Sequence, residues 1–161
     1  MSRRFTIMTA ALCAIGLTFS TAVAIGQSGD DRAKKDGLFT HLSGRNEIGT
    51  NGKRGAGDRD GRGSATVLLA GSKVCFGVTV NKIGNVVAGH IHKGRSNQNG
   101  PVVVDFKLAP MTGNPGAASG CIDVSASLAG QIRRNPNRFY VNVHTQDFAG
   151  GAVRGQLGRH S

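Results

Sequence analysis

Between Ser64 and Leu157 apolar and polar residues alternate with a period of two, and that period settles the fold class. Successive side chains of a strand point to opposite faces, whereas a helix returns to one face only every third or fourth residue. Val74, Phe76, Val78 and Val80 form one unbroken apolar face, with Cys75 on the other. Ala65, Val67 and Leu69 do the same just upstream, and Ala70-Gly71-Ser72 between the two runs reads as a hairpin turn. Further strands are predicted over 38–43, 86–92, 102–108, 119–124, 139–145 and 152–157. In the run over 102–108, Val102, Val104, Phe106 and Leu108 are expected inside. One segment has the helical period. Ser125 can cap it, Leu128, Ala129 and Ile132 form its apolar stripe, Arg133 and Arg134 suit its C-terminal end, and Pro136 ends it. The count predicts an all-β fold, a Greek-key-like β-sandwich of about eight strands with one short helix.

The chain begins with a different grammar. Arg3 and Arg4 precede an uncharged, mostly apolar run, and Ala22-Val23-Ala24 has the small residues of a signal-peptidase site. Residues 1–24 are therefore expected to be a signal peptide, 25–37 a polar lead-in, and 38–158 one sandwich domain. Export predicts a secreted, periplasmic or extracellular protein with no transmembrane anchor after processing. Cys13 would leave with the leader. Cys75 and Cys121 would remain, and an even pair in a small exported domain reads as a disulfide.

Three of the histidines fall on two predicted strands. In Gly89-His90-Ile91-His92 the two imidazoles share a face opposite Ile91, and in Val141-Asn142-Val143-His144 the polar pair lies opposite the valines. If the strands meet, so do His90, His92 and His144. Two uses fit: structural ties, each ring donating to a carbonyl or side chain, or ligands for copper or zinc completed by a fourth ligand or water. His41, on the first strand, offers a fourth ligand only if that strand lies beside the other two.

A formal net charge of +11 favours anionic contacts. Arg45, Lys53, Arg54, Arg59 and Arg62 concentrate in a glycine-rich stretch over 45–63, read as a long mobile loop and the best candidate for such a contact. Nucleic acid is not expected as a partner, because aromatic residues are scarce and the charges are scattered. No activated serine accompanies His144 and Asp147, so no hydrolytic site is expected.

Several ordered motifs carry a resemblance. Leu42-Ser43-Gly44-x-Asn46-Glu47, Gly89-His90-Ile91-His92, Gly100-Pro101-Val102-Val103, Tyr140-Val141-Asn142-Val143-His144-Thr145 and Gly150-Gly151-Ala152-Val153-Arg154-Gly155-Gln156-Leu157 resemble the CHRD domain, the module repeated in chordin. The sequence departs from that pattern at Ile48-Gly49, where a proline usually follows, and at Ala152, where an acidic residue is usual. The resemblance implies an extracellular all-β module without general catalytic activity; the basic stretch and the rigid sandwich make a protein or an anionic envelope component the expected partner. A more distant similarity is to the copper-zinc superoxide dismutase sandwich, in which His90-x-His92 and His144 resemble copper ligands. That similarity implies the alternative, a copper- or zinc-binding protein that is either noncatalytic or dismutase-like, the noncatalytic form being the one expected.

Overall fold

The computed structural model describes residues 37–159. The expected signal peptide and nearly all of the polar lead-in lie outside the described residues. Among the described residues there are nine strands: β1 (Gly37–Ser43), β2 (Arg62–Ala70), β3 (Lys73–Asn81), β4 (Val86–Lys93), β5 (Val102–Asp105), β6 (Gly116–Asp123), β7 (Phe139–Thr145), β8 (Val153–Gln156) and β9 (Gly158–Arg159). One helix, α1 (Ala126–Arg134), separates β6 from β7. Every pairing is antiparallel, in the order β5-β4-β7-β8-β1-β2-β3-β6, with β9 beside β1. The expected sandwich is thus one continuous sheet that nearly closes into a barrel. Across the remaining seam Phe76 of β3 stacks on Phe106, just beyond β5, with ring centroids 4.1 Å apart.

The period-two reading holds in detail for the hairpin. Ala65, Val67, Leu69, Val74, Phe76, Val78 and Val80 all lie in the core, joined by Leu38 and Leu42 of β1, Ile91 of β4, Val141 and Val143 of β7 and Val153 of β8. Burying such a side chain is worth about 1.5–3 kcal/mol each, which fixes the register because a one-residue slip would turn the whole set to solvent. Cys75 and Cys121 face outward and are cross-strand partners on β3 and β6, joined in the expected disulfide. The helix is capped as expected, the Ser125 hydroxyl accepting from the Leu128 amide at 3.1 Å, and it buries Ala129 and Ile132.

Three expectations are corrected. Val102 is not inside but 47% exposed. A bulge between Ile91 and His92 pairs Ile91 with Val104 and His92 with Val102, so Val103 is extra and Val102 turns to the outer face with His92. The strand also stops at Asp105, whose carboxylate accepts from the Lys107 amide at 2.8 Å while Lys107 takes a positive φ of 50°. The stretch over 45–63 is not a mobile loop. Ile48 bridges to Arg54, the Gly55 amide donates to Glu47, Asp58 donates to the carbonyl of Ala152, and Arg62 and Gly63 already belong to β2.

Candidate metal centre

The site is built on β4, β7 and β8, on the face away from the core. In Gly89-His90-Ile91-His92, Ile91 points inward, and Gly89 is required beside it, since a Cβ there would lie 2.7 Å from Leu108 and 3.2 Å from Phe106. His90 and His92 therefore stand on the other side. Their partners across the sheet are Asn142 and Tyr140 on β7, and beyond these Arg154 and Gln156 on β8. His144, two residues from Asn142, is the diagonal neighbour of His90. The result is a polar layer on a strand buried at every position, because the chain folds back over it.

Arg154 holds that cover in place. The guanidinium is 1% exposed and donates to the carbonyls of Arg95 (2.8 Å) and Gln98 (2.7 Å) and to Asn99 Oδ1 (3.0 Å). It also lies 3.4 Å from the ring centroid of Tyr140, and Tyr140 stacks nearly parallel on His92 with centroids 4.8 Å apart. The Tyr140 hydroxyl accepts from the Gly100 amide at 3.2 Å, and Asn99 Nδ2 donates to the carbonyl of Ile48 at 2.8 Å. Thus one buried cation fixes the 94–100 segment over the histidines. Glu47 is buried near Arg154; burial pushes its carboxyl above the usual range, against the pull of that guanidinium.

The hydrogen bonds assign the ring protons. His92 Nδ1 is 2.9 Å from the carbonyl of Gly100, and His144 Nδ1 is 2.9 Å from the carbonyl of Ala149. A carbonyl only accepts, so both Nδ1 atoms carry hydrogen and both Nε2 atoms carry a lone pair. His144 Nε2 receives the His90 Nδ1 hydrogen at 3.0 Å. His92 Nε2 is buried and has no partner at all. The three rings are held neutral: burial pulls His92 down to about 4, with the Gly100 bond opposing, and burial likewise lowers His90 and His144. One nitrogen from each ring lies within 4.8 Å of the others, the one such cluster of histidine, cysteine or acidic side chains among the described residues.

These histidines are consequently both ties and a convergent donor set. A metal about 2.0–2.1 Å from each nitrogen would hold three donors about 3.4–3.6 Å apart, so the rings would have to close in from their present spacing of up to 4.8 Å. It would replace the His90–His144 bond and give His92 Nε2 a partner. His90 would then carry its hydrogen on Nε2, which faces Asp105 Oδ1 at 3.8 Å. A carboxylate behind a ligating imidazole is the usual means of fixing its tautomer.

The other candidates are placed elsewhere. His41 is exposed on β1, whose neighbours are β2, β8 and β9, so it cannot complete this centre. Arg54 donates to the carbonyl of Ser96 at 3.2 Å, while Arg45, Arg59 and Arg62 border a separate pocket. Arg154, Tyr140, Glu47 and Asp105 were not singled out as site residues. Only Arg154 carried a signal, a charge alternating with Val153 and Gly155 inside a predicted strand.

Among the described residues no helix is long and apolar enough to cross a membrane. No curated protein and no solved structure matches the chain. The profile of the CHRD domain matches residues 38–157, nearly all of the described fold, and the chain belongs to that family.

Proposed function

We propose that this CHRD domain is an exported metal-binding module that holds one copper ion through His90 Nδ1, His92 Nε2 and His144 Nε2. The observation that carries the reading is His92 Nε2, a buried acceptor without a partner beside two other imidazole nitrogens. An unsatisfied buried polar atom costs about 1–3 kcal/mol, which a bound cation would relieve. Neutral imidazoles suit copper and zinc alike; Cu(II) outranks zinc at nitrogen sites, and Cu(I) accepts three donors where zinc would need water as a fourth. The outward-facing disulfide fits an oxidising compartment, in keeping with the leader expected over residues 1–24. Binding without catalysis is also what the family suggests.

The test is competition titration of chelator-stripped, untagged protein with Cu(I) and Zn(II). One equivalent of copper should bind, more tightly than zinc, and each of H90A, H92A and H144A should weaken copper binding by at least about a hundredfold. Copper affinity unchanged in H92A would refute the proposal.

A further inference from the structure

A second polar concavity lies outside this centre. His41, Arg45, Arg59 and Arg62 border a pocket of about 330 Å³ together with Leu42, Ser43, Gly61 and Gly63, and no carboxylate lines it. All four polar side chains are exposed. Among the described residues none of the three guanidinium groups has a hydrogen-bond or ion-pair partner. The acidic residues nearest in sequence, Asp58 and Asp60, do not border the pocket.

The frame carrying these arginines is fixed. Arg62 pairs with Ser43 across β1 and β2, Arg45 sits on the single turn that follows β1, and Arg59 lies in a turn closed by the Gly61 amide on the Asp58 carbonyl at 3.0 Å. The Gly44 amide joins the two segments through the carbonyl of Gly61. Three guanidinium groups bordering one pocket that no carboxylate lines make it cationic, and guanidinium forks match tetrahedral oxyanions. The volume of about 330 Å³ corresponds to about eleven waters, enough for a phosphate with a small substituent. We propose that this pocket binds a phosphate group, free or as a phosphate ester. The wider basic stretch does not act as one surface, since neither Lys53 nor Arg54 borders the pocket.

The experiment uses the mature protein with its disulfide intact. Sodium phosphate is titrated at constant ionic strength against chloride, following the arginine Nε–H resonances. In parallel, sedimentation with phosphatidylglycerol vesicles is compared with phosphatidylcholine vesicles. Two triple variants of equal charge, R45Q/R59Q/R62Q and K53Q/R54Q/K107Q, serve as probe and control. Saturable shifts of the Arg45, Arg59 and Arg62 signals with free phosphate identify a soluble ligand. Sedimentation with phosphatidylglycerol alone identifies a lipid headgroup. Either supports the proposal if the pocket triple weakens it at least about tenfold while the control triple, and copper binding by the pocket triple, change less than about twofold. Equal losses in both triples, or no response to either probe, would overturn it.

Discussion

Replacing Arg154 by alanine tests the scaffold beneath the proposed metal site. The side chain is 1% exposed, makes three hydrogen bonds of 2.7–3.0 Å to the 95–99 segment and stacks on Tyr140. Hydrogen bonds to a charged group are worth about 1.5–3 kcal/mol each, and the ring contact adds about 0.5–2 kcal/mol. Desolvating the guanidinium offsets much of that sum, so the expected cost is that of breaking a buried charged network, about 3–5 kcal/mol. That is a large share of the stability of a domain this size. Urea denaturation of R154A should show it as a lower midpoint, and part of the loss should return in R154A/E47Q, because the single variant strands the Glu47 carboxyl without its nearby cation. Hydrogen exchange at the Gly100 amide should quicken, and copper affinity should fall although Arg154 offers no ligand. A cost below about 1 kcal/mol, with Gly100 exchange unchanged, would refute the view that Arg154 holds the cover.

Acid should destabilise the metal-free protein. His92 is held neutral with its folded value at about 4, below the ordinary value of 6.5, so the unfolded chain binds the extra proton. This stability is fully present above pH 6.5 and falls as the pH drops towards 4, by up to about 3 kcal/mol, with His90 and His144 contributing in the same direction. Denaturation midpoints across that range should show a smaller loss in H92Q. Gly151 has a φ of 140°, and a Cβ there would lie 2.4 Å from Glu47 Oε2 and 2.6 Å from Asn142; G151A should therefore cost about 2–4 kcal/mol by urea denaturation. Removing the disulfide as C75S/C121S, a sequence separation of 46, should cost about 4 kcal/mol by loop entropy, and intact mass with and without reduction should confirm that both thiols are engaged.

The strands were legible because burial on one face of a pleated sheet leaves a period of two in the sequence, and the runs around Val74–Val80 and Val141–Val143 needed nothing more. Val102 was misplaced because a bulge changes parity without leaving a local composition signal, and here the bulge lies on the histidine strand itself. The stretch over 45–63 read as mobile since its glycines and charges are typical of open loops. Its order comes from distant partners, such as Ala152 for Asp58 and Asn99 for Ile48. Alternation also placed His90, His92 and His144 on shared faces. Their convergence depended on β4 pairing with β7, and the proton positions depended on the carbonyls of Gly100 and Ala149, which no motif announces.

The most direct measurement is the tautomer of each imidazole, read from long-range nitrogen–proton NMR spectra before and after one equivalent of Cu(I). Without metal, His92 and His144 should carry hydrogen on Nδ1, and so should His90. With copper, His92 and His144 should keep that form while their Nε2 signals shift, and His90 should move its hydrogen to Nε2, facing Asp105. Spectra in which the His92 Nε2 signal stays unmoved by copper, or in which His92 binds through Nδ1 after losing Gly100, would contradict the account.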